Sequence, residues 1–188
     1  MTGEVRPRRA DAQRNRERIL EAAEAVLARE GTSASVRAVA GEAGVGLGTI
    51  YRHFPTQEAL YHAVIVDRTR RLLAEADRPS PDPGTAFFAF LDRIVVHAAQ
   101  KKTAADLLAG AGVDPKAGTA DVSRDMRQVI GRLLTAAQEA GAVRPDLRMP
   151  ELLALLCGVC LAAERDQWSD DLRRRTLDVL FDGLRPRG

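Results

Sequence analysis

A chain of 188 residues, 45% of them hydrophobic, can build one or two small domains with a real core, which excludes a disordered tail. A formal net charge of +2 gives no bulk electrostatic case for nucleic acid, so any such case has to be local. No apolar stretch follows Met1, and the longest apolar run, Leu152 to Ala163, is too short at twelve residues to span a bilayer. A cytoplasmic protein with no signal peptide and no membrane partner is expected.

The chain opens with Arg6, Arg8, Arg9, Arg14, Arg16 and Arg18 against three acids in the first twenty residues. Residues 1–10 read as a disordered basic arm, either solvated or touching DNA. Residues 11–30 predict a first helix, with Ile19, Ala23, Val26 and Leu27 along one side and Gly31 ending it. From Ser35 to Phe54 the chain reads as two short helices joined by a tight turn. Val36, Val39, Ala40 and Ala43 fall at the spacing of one helix face, and Ala40 is small where a second helix must cross. Gly44 sits where the chain must leave the helix with positive φ, and Val45 and Ile50 return to the same core. This is a helix-turn-helix, a unit that lays its second helix in a DNA major groove, although an ordinary helical hairpin with a polar face shares the spacing.

Pro55 stops that helix, and Thr56 caps a fourth with Glu58 in its first turn, running to about Ala76. No Gly or Pro interrupts it before Pro79, so it could carry movement between two halves of the chain. A breaker cluster at 77–84 follows. Further helices are predicted at 85–101, 103–111, 120–140, 150–166 and 169–184, the fourth of these with Pro150 in its first turn and the last opened by Ser169. The expected fold is all-α, with about nine helices and no strand alternation or internal repeat. It divides into the arm, a three-helix DNA-binding domain at 11–62 and a helical bundle at 63–188.

On the helix after the turn, Leu47, Gly48, Thr49, Tyr51, Arg52 and His53 include no acid, and the hydroxyls and the imidazole suit phosphates or bases. Further along, Phe87, Phe88, Phe90, Leu91, Ile94 and Val95, with Leu107, Leu108, Met126, Val129, Ile130 and Leu133, could enclose an apolar pocket or simply fill a core. The 150–166 helix is apolar almost all round and needs cover on more than one side, from its own monomer or from a partner subunit. In the second case Leu152, Leu155, Leu156, Val159 and Cys160, with Leu177, Leu180, Phe181 and Leu184 of the last helix, would form a four-helix dimer seam.

Other motifs point to less. Cys157-Gly158-Val159-Cys160 lacks the βαβ context of a redox pair and the two further ligands of a zinc site, and reads as small buried side chains. Gly44-Val45-Gly46-Leu47-Gly48 has no preceding strand, so a dinucleotide loop fails its context test. No Ser/His/Asp constellation or paired carboxylate is evident, and His62 and His97 read as structural. Neither metal nor cofactor is expected, nor an enzyme. The alternatives are a small helical enzyme using Cys157 and Cys160, and a helical interaction module that binds no DNA.

The pattern Arg37-x-Val39-Ala40-x-x-Ala43-Gly44-Val45-x-x-Gly48-Thr49-Ile50-Tyr51-x-His53-Phe54, followed by Glu58-x-Leu60, resembles the DNA-binding domain of the TetR family of transcriptional regulators. The likeness covers about residues 12–62. The rest resembles the family loosely, in its helical pattern, in Ala140 to Asp146 and in Asp182-Gly183-Leu184-Arg185. The resemblance implies a homodimeric repressor that binds a palindromic double-stranded operator and releases it on binding a small-molecule effector. It implies that Thr49, Tyr51 and His53 meet the DNA backbone and that Arg37, with Leu47 and Gly48, faces base edges. It also implies an effector pocket in the C-terminal half, for which Phe88, Leu91, Val95, Leu108, Met126 and Ile130 are the candidates. Two departures stand out. Gln57 replaces a usually basic residue, which makes a phosphate contact neutral, and Gly46 replaces the usual hydroxyl cap.

Overall fold

The computed structural model describes residues 5–78 and 80–186, and the side chains of that range from Asp11 onward. Eight α-helices account for nearly all of it: α1 (Val5–Glu30), α2 (Val36–Ala43), α3 (Leu47–His53), α4 (Gln57–Ala76), α5 (Pro83–Gly110), α6 (Ala120–Glu139), α7 (Met149–Asp166) and α8 (Asp170–Leu184), with a single 3-10 turn at Gly31–Ser33. The all-α expectation holds, and two boundaries move. The first helix starts at Val5 rather than at 11, so residues 5–10 of the expected arm are helical, and 1–4 lie outside the described residues. Pro7 is tolerated there because a first-turn nitrogen has no helical acceptor to lose. The helices expected at 85–101 and 103–111 are one, α5, because Gln100 to Thr103 contains neither Gly nor Pro to end it.

The chain forms two compact units. The first comprises residues 1–67 and 103–117, and the division falls inside α4 and α5. Its core takes Ile19, Leu20, Ala23 and Val26 from α1, Val36, Val39, Ala40 and Ala43 from α2, Ile50 from α3, and Leu60, Tyr61 and Val64 from α4. Ala104 and Leu108, from the last turns of α5, complete it.

The second unit comprises residues 68–102 and 118–188. Its core joins Phe87, Leu91 and Val95 of α5, Ile130 and Leu134 of α6, Leu152 and Leu156 of α7, and Leu177, Phe181 and Leu184 of α8. Side-chain caps fix the helix starts. Asp82 accepts from the backbone N–H groups of Gly84 (3.1 Å) and Thr85 (3.2 Å), and Ser169 Oγ accepts from Leu172 N–H (3.3 Å). Gln138 ties down the α6–α7 loop by donating to the carbonyls of Arg144 (3.0 Å) and Leu147 (2.9 Å).

Candidate nucleic-acid interface

The turn between α2 and α3 is set by backbone bonds. Ser35 Oγ accepts from Ala38 N–H at 3.2 Å and opens α2. At the other end Gly44 takes φ +63°, the left-handed conformation that costs a residue with a Cβ about 1–2 kcal/mol. Gly44 N–H then reaches Gly41 O (3.2 Å) and Val45 N–H reaches Ala40 O (3.0 Å), which closes the end of α2. The last turn of α2 has no basic residue of its own, and Arg18 of α1 supplies one, its Nη2 donating to Ala43 O at 2.6 Å. Arg16 lies over the ring of Phe54, the residue that caps α3, 5.3 Å from its centre. Neither arginine stood out in the sequence as a brace, because both partners lie more than twenty residues away.

With its inner side on Ile50, α3 turns Tyr51 outward at 47% exposure, beside an exposed Arg52 and half-buried Thr49 and His53. Arg37 of α2 is exposed. Gly46 and Gly48 are exposed too, and a Cβ at either would meet nothing within 4 Å. Leu47 differs from the rest of the expected set in that it packs on the core. Gln57 differs too: its amide donates to Tyr61 Oη at 2.9 Å, while Tyr61 donates to Ala34 O at 2.9 Å. Thr56 Oγ1 accepts from Ala59 N–H at 3.1 Å and starts α4. The backbone N–H of Glu58 and the Thr56 hydroxyl hold the Glu58 carboxyl below its ordinary range.

In the second unit an open groove of about 570 Å³ is lined by residues including Asp82, Phe88, Asp92, Ala142, Phe181 and Arg185. The Phe88 and Phe181 rings lie 4.8 Å apart, and the Arg185 guanidinium sits 5.2 Å from the centre of Phe88. Of the six expected pocket residues only Phe88 lines this groove. Leu91, Val95 and Ile130 are buried in the core and Met126 packs on it, while Leu108 belongs to the core of the other unit.

The expected dimer residues also separate. Leu152, Leu156, Leu177, Phe181 and Leu184 are at most 9% exposed and fill their own unit. Val159, Cys160 and Leu180 are half-buried, and of the set only Leu155 is exposed. The outward apolar strip consists instead of Ala154, Leu155, Cys157 and Leu161 on α7, with Leu172 and Val179 on α8.

No helix is long and apolar enough to cross a membrane, and no group of three or more His, Cys, Asp or Glu side chains is placed to hold a metal among the described residues.

Residues 19–64 match the tetR family of bacterial regulatory proteins, and residues 82–186 match the C-terminal domain of SbtR-like transcriptional regulators. A TetR transcription regulatory protein from Mycobacterium vanbaalenii is 38% identical, with a TM-score of 0.77 over 95% of this chain and 99% of that one. A TetR transcriptional regulator from Streptomyces coelicolor is 36% identical, with a TM-score of 0.74 over 92% of this chain and 99% of that one. The HTH-type transcriptional regulator UidR of Escherichia coli K12 is 27% identical over 172 residues, 87% of each protein. With a helix-turn-helix whose second helix carries no acid, and with both halves matched, this chain belongs to the TetR family of DNA-binding transcriptional regulators.

Proposed function

We propose that the protein is a ligand-responsive repressor: two copies bind an inverted-repeat operator, and a small molecule held in the second unit releases it. It acts as a regulator rather than a catalyst, in the cytoplasm. The observation that carries the DNA-facing part is Gly48. A glycine inside a helix costs about 1 kcal/mol relative to alanine, yet a Cβ there would meet no protein atom. On the outer face of α3 such a glycine leaves room for a surface, such as a DNA groove, to approach the helix backbone closely. Tyr51, Thr49 and His53 then hold phosphates, and Arg37 takes a base edge, with guanine its natural bidentate partner.

The outward strips on α7 and α8 support a second copy as the cover. Leu161 at 66% and Val179 at 76% exposure are large apolar side chains left in water by the single chain. Two recognition helices on one DNA face must be roughly 34–36 Å apart. An effector can move that spacing only by its difference in affinity between the two states. The test is selection of bound fragments from the source genome, followed by sedimentation velocity of the complex. An inverted repeat carrying two copies is expected; fragments with a single half-site and one copy would overturn the reading.

A further inference from the structure

The open groove of the second unit, about 570 Å³, is of a size for a small ligand, and its walls come from three elements tied to one another. Gly84 lets the start of α5 touch the α6–α7 loop, since a Cβ there would lie 2.6 Å from the Cβ of Ala142. Arg144 N–H of that loop donates to Leu184 O of α8 at 2.9 Å. The apolar surface of the groove is the tilted pair of Phe88 and Phe181.

The chain already places a cation on this surface. The Arg185 guanidinium lies over the face of Phe88, 5.2 Å from its centre. Yet its side chain is 52% exposed, and its ion-pair partner is Asp182 on the same helix. The guanidinium can leave the ring and keep that partner. Asp82 and Asp92 are the carboxylates that line the groove, and Arg185 is the cation. Asp92 is matched by Arg173 and Arg185 by Asp182, so the charge left over among these residues is that of Asp82. The Thr85 hydroxyl first, and then the backbone N–H groups of Thr85 and Gly84, hold the Asp82 carboxyl below its ordinary range and keep it ionised. α8 ends at this groove with no basic residue in its last turn, so its carbonyl end adds negative potential. An anion would meet these groups with repulsion, and a neutral guest gains nothing from them. A flat cation fits both the potential and the ring face, because a delocalised planar charge stacks on an aromatic ring as Arg185 does.

We propose that this groove receives a planar aromatic cation, an amidinium or guanidinium carried on an apolar ring, which takes the face of Phe88 from Arg185. As the place of the effector it rests on the effector-release reading above. The test is calorimetric titration of the full chain with benzamidine and naphthamidine, each beside its amide and its carboxylate, which keep nearly the same shape and differ in charge. At least one amidine should bind about tenfold or more tightly than both counterparts. Arg185→Gln should tighten that binding by about two- to fivefold, because the ring face is vacated. Arg174→Gln removes a positive charge from the same helix outside the groove and should leave it unchanged. Phe88→Leu should erase the preference, with a ligand-free melt to show that the variant folds; if it does not fold, the exposed Arg185→Gln decides. Equal binding of amidine and amide, tighter binding of the acid, no binding of either amidine, a preference that survives Phe88→Leu, or no tightening in Arg185→Gln overturns the proposal. The same compounds are added to the operator complex as a separate readout. Amidine binding without DNA release would leave the groove site standing and sink its part in release. DNA release by another small molecule, with neither amidine bound, would do the reverse.

Discussion

The two units are packed with different materials. Around the helix-turn-helix, Ala22, Ala23, Ala34, Ala40, Ala43 and Ala104 are all buried, and helices held by such small side chains approach closely. The other unit is filled by Phe87, Phe90, Phe181 and a set of leucines, and it keeps a buried imidazole and an open groove of about 570 Å³. Small side chains and backbone caps leave α3 little freedom, as suits a surface that must match a fixed DNA geometry. In the other unit Phe88 and Phe181 line the open groove. The contrast is between a core closed around small side chains and one that borders a groove, and mutations should report it.

The largest effect belongs to the second core. Leu156 is 4% exposed, so Leu156→Arg should bury an unpaired charge and cost about 4 kcal/mol or more, seen as loss of the cooperative melt. Leu161→Arg should keep a cooperative melt, lowered at most by the lost association, and should change the sedimentation coefficient. If the two variants behaved alike, the division between core and outward strip would be wrong.

The next effect is on pH. His97 is neutral in the folded chain down to about pH 4, whereas the unfolded ring takes up a proton near 6.5. The unfolded state binds more protons in that window, so stability is full above pH 6.5 and falls as the pH drops toward 4. The gap corresponds to about 3 kcal/mol. Urea midpoints measured from pH 7 to 4.5 should show the decline, and His97→Gln should flatten it. An equal slope in the variant would assign the effect to other groups.

A smaller cost is expected in the first unit. Tyr61 is 1% exposed and its hydroxyl serves both Ala34 O and Gln57. Tyr61→Phe strands the Ala34 carbonyl and should lower stability by about 2 kcal/mol in urea unfolding. The smallest change is at the surface. Tyr51→Phe should leave the melt within about 0.5 kcal/mol of wild type. It should weaken operator and random DNA alike by about 1 kcal/mol, read by fluorescence anisotropy. A loss confined to the operator would make Tyr51 a base reader instead.

The DNA-facing unit was legible because its instructions are local. Ser35, Gly44 and the spacing of Val36, Val39, Ala40 and Ala43 lie within one short stretch, and each specifies a cap, a turn or a face by itself. Leu108 was misplaced because its partners on α1 and α4 are distant in sequence, and no period along α5 reveals that its last turns join another core. On α7 the division between buried and outward apolar residues was hidden for a different reason. A helix that is apolar all round gives no sign of which side meets its own monomer, so Leu152 and Leu156 could not be told from Leu155. Leu172 and Val179 were passed over as single apolar residues among charges. His97 was read as structural, and its burial and its bond to Thr69 of α4 come from packing that its own helix does not announce.

The bracing arginines have a consequence for how binding responds to ionic strength. Neutralising one DNA phosphate releases condensed counterions and contributes about 0.9 to the slope of log K against log salt. Arg18 is committed to Ala43 O and Arg16 to the face of Phe54, so neither displaces cations from the duplex. Six arginines lie in the first eighteen residues, Arg14 among them is paired with Asp11, and a tally of all six overstates this segment's contribution by at least the two braces. The measured slope should fall short of the charge count by about 1.8 or more. Part of the positive charge at this end of the chain thus works as scaffolding, holding the reading helix in place.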